Sequence, residues 1–266
     1  MPTLRGSVNG IDSLERLAMG KSPIHRLHPA VKLATTIAYV ITVLSFPSRD
    51  VSGLMAFIFY PAIIMPIAGI PYRLLMGRLM AALPFSLMGG ASNLFFLREP
   101  AFVLGSFSVT FGMLSFVSIM QKTLLSVLAV LILAATTPFA DITRQLTRLG
   151  MPRVISLQFV MTYRYLFALI SEAYSMFTAY TLRSPQTRMI QMKDMGSFLG
   201  QLVLRSFDRG ENVYQAMKCR GFQGVYNSGA RFAFRFADAA YSLVFLSVLF
   251  ALRFFNLSVF LGELVR

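Results

Sequence analysis

The sequence predicts an all-α integral membrane protein, with about five transmembrane helices and a cytoplasmic helical domain built on two long helices. Three observations carry this. Apolar residues make up 56% of the 266-residue chain and charged residues 14%, where ordinary globular chains have roughly 45–50% and 25%. Mean hydropathy is +0.63. The 25 Lys and Arg, against 11 Asp and Glu, gather in a few segments between the apolar runs, as they do in the cytoplasmic segments of membrane proteins. A nucleic-acid binder can be as basic but not as apolar, so no nucleic-acid partner is expected. The single cysteine, Cys219, excludes an internal disulfide and any paired-cysteine metal or redox site.

Met1–Pro29 is polar and offers no apolar core for a cleavable signal peptide. A spanning helix needs about 20 mostly apolar residues. Ala30–Phe46 is the first candidate, with only Lys32 at its mouth, and it ends at Phe46-Pro47-Ser48. Val51–Ile70 is the second and carries no charge. Leu79–Leu97 is the third; Pro84 and Gly89-Gly90 predict a kink or break in it. Phe107, Val109 and Phe111 then alternate with Ser106, Ser108 and Thr110, which predicts a short extended segment outside the membrane. Met113–Phe139 is the fourth span, interrupted only by Gln121-Lys122. The last lies within Ala239–Leu261, where Arg253 is expected to snorkel and to mark the end of the span near Asn256. Placing the N-terminus inside puts twenty of the 25 basic residues on the inner side and leaves Arg49, Arg98, Lys122, Arg253 and Arg266 outside. Five spans then put the C-terminus outside. The organisation expected is residues 1–139 as an N-terminal membrane domain of about four spans, 140–235 as a cytoplasmic domain, and 236–266 as a C-terminal transmembrane helix.

Asp141–Arg235 is too long for a plain connection and should have structure of its own. Met151-Pro152 ends a short helix over Asp141–Leu149. Val154–Leu182 reads as a long helix with Val160, Tyr163, Phe167, Ile170, Tyr174 and Phe177 on one stripe, stopped by Ser184-Pro185. A second helix runs from about Asp194 to Cys219, with Phe198, Leu202, Phe207, Val213 and Met217 mainly on one side and Gly221 placed to terminate it. Both helices look too polar to span and too apolar to lie free in water, so they should lie on the membrane surface, pack on each other or face a protein partner. Each ends in an arginine, Arg183 and Arg220. Such a residue is either a favourable cation at a helix C-terminus, worth about 0.3–1 kcal/mol, or a guanidinium fork held out for a groove on a partner, where a hot spot is worth about 2 kcal/mol or more.

Three stretches carry a resemblance. They are Ser22-Pro23-Ile24-His25-Arg26-Leu27-His28-Pro29-Ala30-Val31-Lys32-Leu33, Tyr163-Arg164-Tyr165 followed by Glu172-Ala173, and Ala216-Met217-Lys218-Cys219-Arg220-Gly221-Phe222. Through them the chain resembles the transmembrane T component of energy-coupling-factor (ECF) transporters, in particular the cobalt-type CbiQ branch. The third stretch closely resembles the family's Ala-Arg-Gly motif at the tip of the second coupling helix, with Cys219 in the place of its alanine. At the first such motif, Leu182-Arg183-Ser184 keeps only the arginine. The resemblance implies a scaffold without catalytic activity, cofactor or metal of its own. Its coupling helices would dock on two ABC-type ATPase subunits, and it would hold a substrate-binding membrane S component. The residues that would couple to the ATPases are Arg220, Arg183, Gly221, Cys219, Ala216 and Met217. Cobalt or nickel ion is the implied cargo, and a vitamin such as biotin the alternative. The implied location is the bacterial cell (inner) membrane, with the N-terminus and the coupling domain cytoplasmic.

Other chemistry is absent. Gly20-Lys21-Ser22 could end a phosphate-binding loop, but Glu15 stands where that pattern requires glycine, no apolar strand precedes it and Pro23 follows. His25 and His28 have a metal-ligand spacing with no nearby cysteine, only Asp12 and Glu15. Pro29 fits the first helical position, with His28 a poor cap before it. The spans hold no Asp or Glu, which counts against a stand-alone proton- or sodium-coupled carrier. Glu172 is expected to pair with Arg205 or Arg209. Met76, Met80 and Met88 fall at near-helical spacing beside the third span, in core or lipid packing or as a face for the S component.

Overall fold

Pro29 needs no N–H partner and starts the first long helix, α1 (Pro29–Leu44). His28, expected to be a poor cap, caps it through its ring: Nδ1 accepts the Ala30 N–H at 3.1 Å. The computed structural model describes residues 15–47, 51–96, 100–104, 107–184, 189–224 and 233–254. Ser106, Pro185 and the end of the last span from Asn256 to Leu261 lie outside the described residues.

After α1 come α2 (Val51–Met55), a 3-10 turn (Ala56–Ile58) and α3 (Phe59–Ala68). Together they form a stretch of 18 residues, long and apolar enough to cross a membrane. The 3-10 turn has a local cause. Pro61 has no N–H for the carbonyl four residues back, that of Phe57. The Tyr39 hydroxyl of α1 donates to that carbonyl instead, at 2.8 Å, and the ring is fully buried. Tyr39, Phe57 and Phe46 then pack edge-on or tilted against one another at centroid distances of 5.2–5.8 Å.

The third apolar segment is bent by 48° between α4 (Tyr72–Met80) and α5 (Leu83–Phe96). The break falls at Ala81-Ala82, just before Pro84. Gly89-Gly90, expected to contribute to it, instead lie inside α5. A Cβ on Gly90 would come within 2.7 Å of the Phe116 ring, so this glycine serves close helix packing. The alternating segment forms a strand, β2 (Phe107–Thr110). It pairs antiparallel with β1 (Pro100–Leu104), a strand the sequence reading missed because its residues do not alternate.

Helix α6 (Phe111–Thr136) is the axis of this unit. Leu125 and Ala129 join a buried cluster with Tyr39, Val43, Leu54, Phe57 and Leu249. One turn on, Ile132 and Ala135 join a second with Ile24, Ile64, Met65 and Leu75. The antiparallel helices α1 and α6 exchange lysines at their ends. Lys32, in the first turn of α1, donates to the carbonyl of Thr136, the last residue of α6, at 2.8 Å. Lys122 of α6 donates to the carbonyl of Phe46, just past the end of α1. Each ammonium thus sits on the negative end of the partner helix. Arg253 joins Lys122 there, with its guanidinium 4.6 Å from the Phe46 ring and 3.4 Å from the Ser45 carbonyl.

The remaining helices are α7 (Phe139–Arg148), α8 (Arg153–Arg183), α9 (Met192–Cys219) and α10 (Phe236–Phe254). Contacts divide the chain into two units, residues 13–142 with 232–266, and residues 143–231. Among the described residues four helical stretches are long and apolar enough to cross a membrane, Val51–Ala68, Phe111–Thr136, Arg153–Arg183 and Phe236–Arg253; the bent pair α4–α5, counted as one span, makes a fifth. This is an all-α integral membrane protein, with one small hairpin among the described residues. The set differs from the expected five in two ways. α1 is a shorter apolar helix of 16 residues. α8, expected to be too polar, passes on length and hydropathy, because its interior charges, Arg164 and Glu172, are widely spaced.

Candidate functional site

The unit of residues 143–231 presents α8 and α9, of 31 and 28 residues. At 1.5 Å per residue these are rods of roughly 40–45 Å. α8 starts where Pro152 ends the preceding turn and stops at Ser184; α9 starts after Gln191. Three contacts tie them together. The Tyr180 hydroxyl donates to Asp194 Oδ2 at 2.7 Å. Glu172 forms an ion pair with Arg205, one of the two partners expected for it. The Arg209 guanidinium lies 5.7 Å from the Tyr165 ring, and Arg164 lies 5.9 Å from the same ring.

The packing faces differ in part from the stripes read in the sequence. Leu157, Met161, Tyr165 and Leu169 of α8 line a groove against Val213, Tyr214 and Met217 of α9. On the stripe expected for α8, Phe177 is buried but Tyr174 is 39% exposed. On α9, Phe198, Leu202, Val213 and Met217 are partly buried, whereas Phe207 is 72% exposed. Counted at 100° per residue, Phe207 lies well round the helix from the other four.

The end of α9 has a defined shape. The Phe222 N–H donates to the Met217 carbonyl at 3.0 Å and the Gly221 N–H to the Lys218 carbonyl at 2.9 Å. This pair of bonds, with Gly221 at φ +78°, is the Schellman termination. It makes Arg220 the cap residue and Gly221 the residue just beyond it, where the sequence placed it. The apolar contact that accompanies such an end is supplied by Phe222 and Met217, which line the same notch as Arg220, Gly221, Ala216, Arg164 and Tyr165. Cys219 is an exposed free thiol. Arg183, the last residue of α8, lines a separate notch with Tyr180, Asp194, Phe198 and Arg205. Both arginines are exposed, and among the described residues neither guanidinium has a hydrogen-bond or ion-pair partner. The structure therefore gathers five of the six predicted residues around two notches and leaves two charges free to bind.

The matched family decides what kind of protein this is. The family model described as CbiQ, cobalt transport protein, matches residues 20–230. The chain belongs to the CbiQ family. A cobalt transport protein CbiQ of Rhodobacter capsulatus is 32% identical over 93 residues, 35% of this chain and 38% of that protein. An uncharacterized protein of Methanocaldococcus jannaschii is 29% identical over 112 residues, 41% of this chain and 38% of that protein. The matches thus span well under half the length of these relatives. The family it belongs to is described as one of cobalt transport proteins.

The two histidines serve the fold. His25 Nε2 donates to the Leu17 carbonyl at 2.8 Å, and Nδ1 lies 2.7 Å from Ser22 Oγ. A carbonyl only accepts, so Nε2 carries the proton and the Ser22 hydroxyl donates to neutral Nδ1. Burial holds the His25 pKa below its ordinary 6.5. Nδ1 of His28 is engaged in the helix cap, and among the described residues, which do not include Asp12, no three of His, Cys, Asp and Glu cluster to hold a metal ion. Sequence reasoning missed Tyr180 and Asp194. Their one signal was an acidic residue in the first turn of α9 facing an aromatic one turn before Arg183.

Proposed function

We propose that this chain is the transmembrane T subunit of an ECF-type ABC importer, and that it couples ATP hydrolysis by two separate ATPase subunits to uptake through a membrane S component. The observation that carries this reading is the pair of long helices, each tipped by an exposed arginine with no partner among the described residues, in a CbiQ-family chain. An arginine fork that meets carboxylates or carbonyls in a dry groove makes a bidentate, charge-assisted pin. Arg220 is presented by a rigid helix end, and Arg183 by a helix end that the Tyr180–Asp194 bond ties to α9. Gly221, Ala216 and Met217 shape the surface around Arg220, and Cys219 is the small residue beside it. On this reading residues 140–235 are the coupling domain, residues 1–139 and 236–266 form the membrane part, and the N-terminus and coupling domain face the bacterial cytoplasm. The cargo is cobalt ion, the ion in the name of the Rhodobacter relative, or nickel ion, which the resemblance also implies, and its ligands belong to the S component.

The test is copurification of the ATPase subunits with the full chain. The wild-type chain should retain them. Arg220→Glu should remove most of them, and Arg183→Glu/Arg220→Glu should remove the remainder while the membrane protein stays folded. Normal retention by the double variant refutes the assignment.

A further inference from the structure

One buried polar node inside the membrane unit holds the end of α6 and the start of α10, the helix ends of that unit on either side of the insert in the chain. Asp238 is 2% exposed. Its Oδ2 accepts the Arg235 N–H at 2.8 Å, and its Oδ1 accepts the His28 N–H at 2.7 Å. Lys32 is 6% exposed. Its ammonium donates to the Thr136 carbonyl at 2.8 Å and to the His25 carbonyl at 3.2 Å. The His28 ring packs on Phe234 with centroids 5.9 Å apart.

Each charge matches the helix end it sits on. The ammonium meets the negative end of α6, and the carboxylate the positive start of α10. Two side chains thus bind four backbone groups, three of them at helix starts or ends where no intrahelical partner exists. Thr136 lies six residues before the first part of the membrane unit ends at Ile142, and Arg235 three after its second part begins at Phe232. The start of α1 is held by both charges at once. Each buried charge holds two backbone groups, so releasing either one leaves a buried charge and its backbone partners unpaired. The same two side chains thereby hold the end of α6 and the start of α10, which flank the insert in the chain.

We propose that Lys32 and Asp238 are positioning residues that pin the end of α6 and the start of α10, the elements flanking the insert in the chain, to the start of α1, so that movement of the insert is delivered to the membrane helices instead of being absorbed at its attachment. The transport consequence rests on the T-subunit reading; the clamp itself does not. Asp238→Asn keeps the side-chain shape but can accept with only one of its two terminal atoms, and Lys32→Met removes the donor. Lys32→Arg is the charge-keeping control. In the full chain in nanodiscs, hydrogen exchange at residues 136–142 and 233–238 should quicken at least tenfold in Asp238→Asn, with Leu125–Ile132 unchanged. Equal exchange at both segments overturns the clamp. In the complex with its ATPases, metal ion taken up per ATP hydrolysed should fall at least tenfold while the ATPases still copurify, with substantial recovery in Lys32→Arg. An unchanged ratio, or uptake and hydrolysis falling in proportion, overturns the coupling role. A wild-type chain that retains no ATPase refutes the T-subunit reading alone, and the exchange measurement still decides the clamp.

Discussion

Gly221 tests whether the shape of the helix end, beyond charge alone, makes Arg220 available. Its φ of +78° is in the left-handed region, where an L-residue with a Cβ costs roughly 1–2 kcal/mol. A Cβ at this position would meet nothing within 4 Å, so Gly221→Ala introduces that backbone strain and no clash. The strain can be relieved by giving up the two terminating bonds, Gly221 N–H to Lys218 O and Phe222 N–H to Met217 O. Each such exposed bond contributes about 0.5–1.5 kcal/mol net. Strain and bonds are of one size, so alanine should bring the formed and frayed ends to comparable populations or tip the balance to the frayed one. Partner affinity falls by the fraction of chains still formed: about twofold where the two ends are equally populated, and about fivefold to thirtyfold where the frayed end is favoured by about 1–2 kcal/mol. The assay is titration of the ATPase subunits onto the chain in nanodiscs, with amide exchange at Phe222 as the local readout. The expected order of affinity is Gly, then Asn, which visits this region more readily, then Ala, then Val. Unchanged affinity in Ala and Val, or the same loss in Asn as in Val, would refute the reasoning.

Tyr39→Phe should destabilise the membrane unit by about 0.6–1.7 kcal/mol, the range for hydrogen bonds between membrane helices. The loss should shrink in a Pro61→Ala background, where residue 61 regains an N–H for the Phe57 carbonyl; equal losses in both backgrounds, measured by unfolding in bicelles, would remove the explanation of the 3-10 turn. Burial depresses the His25 pKa in the folded loop below 6.5, so the unfolded loop takes up its proton first as pH falls. Protection of residues 17–27 from exchange should be complete above about 6.5 and decline as the pH falls from there toward the folded value, with the His25→Gln chain losing that slope; a pH-independent profile in the parent chain would contradict it. The double arginine variant described above completes the set.

Features set by neighbouring residues were legible in the sequence. Gly221 follows a helical pattern at once, and its placement holds to the residue. The strand at Phe107–Thr110 was visible because its side chains alternate. Pairings across the chain were not. Lys32 and Thr136 are 104 residues apart, and His28 and Asp238 are 210 apart, so no window shows that they share a node. Asp238 read as a carboxylate at the edge of a span, and Lys32 as an impurity at the mouth of another. Gly89-Gly90 read as a break because glycine is weak in an isolated helix. The Phe116 ring packed on Gly90 supplies the packing that keeps α5 continuous there. α8 read as too polar because its charges were counted over the whole helix, although an 18-residue window of it holds few.

Three cations of the membrane unit and the two arginines at the insert's helix tips are used differently, and that contrast supports reading this chain as a scaffold. In the membrane unit Lys32, Lys122 and Arg253 each end on a backbone carbonyl at a helix end. Lys32 is buried, and without such partners its charge would be expelled or neutralised; Lys122 and Arg253 are part-exposed and bind the end of α1. In the helical insert the exposed Arg183 and Arg220 have no partner among the described residues, although Arg205, also on the insert, is paired with Glu172. Carboxylates are thus present on the insert, yet none is spent on the two tips. An exposed surface pair would have been worth at most about 1 kcal/mol to the fold, whereas a guanidinium desolvated in a partner groove can contribute about twice that or more. The fold gives up little by leaving the tips free. A lysine would hold the same charge but lack the planar fork that resists rotation in a groove. Arg220→Lys should therefore retain the ATPases more weakly than wild type, yet better than Arg220→Glu.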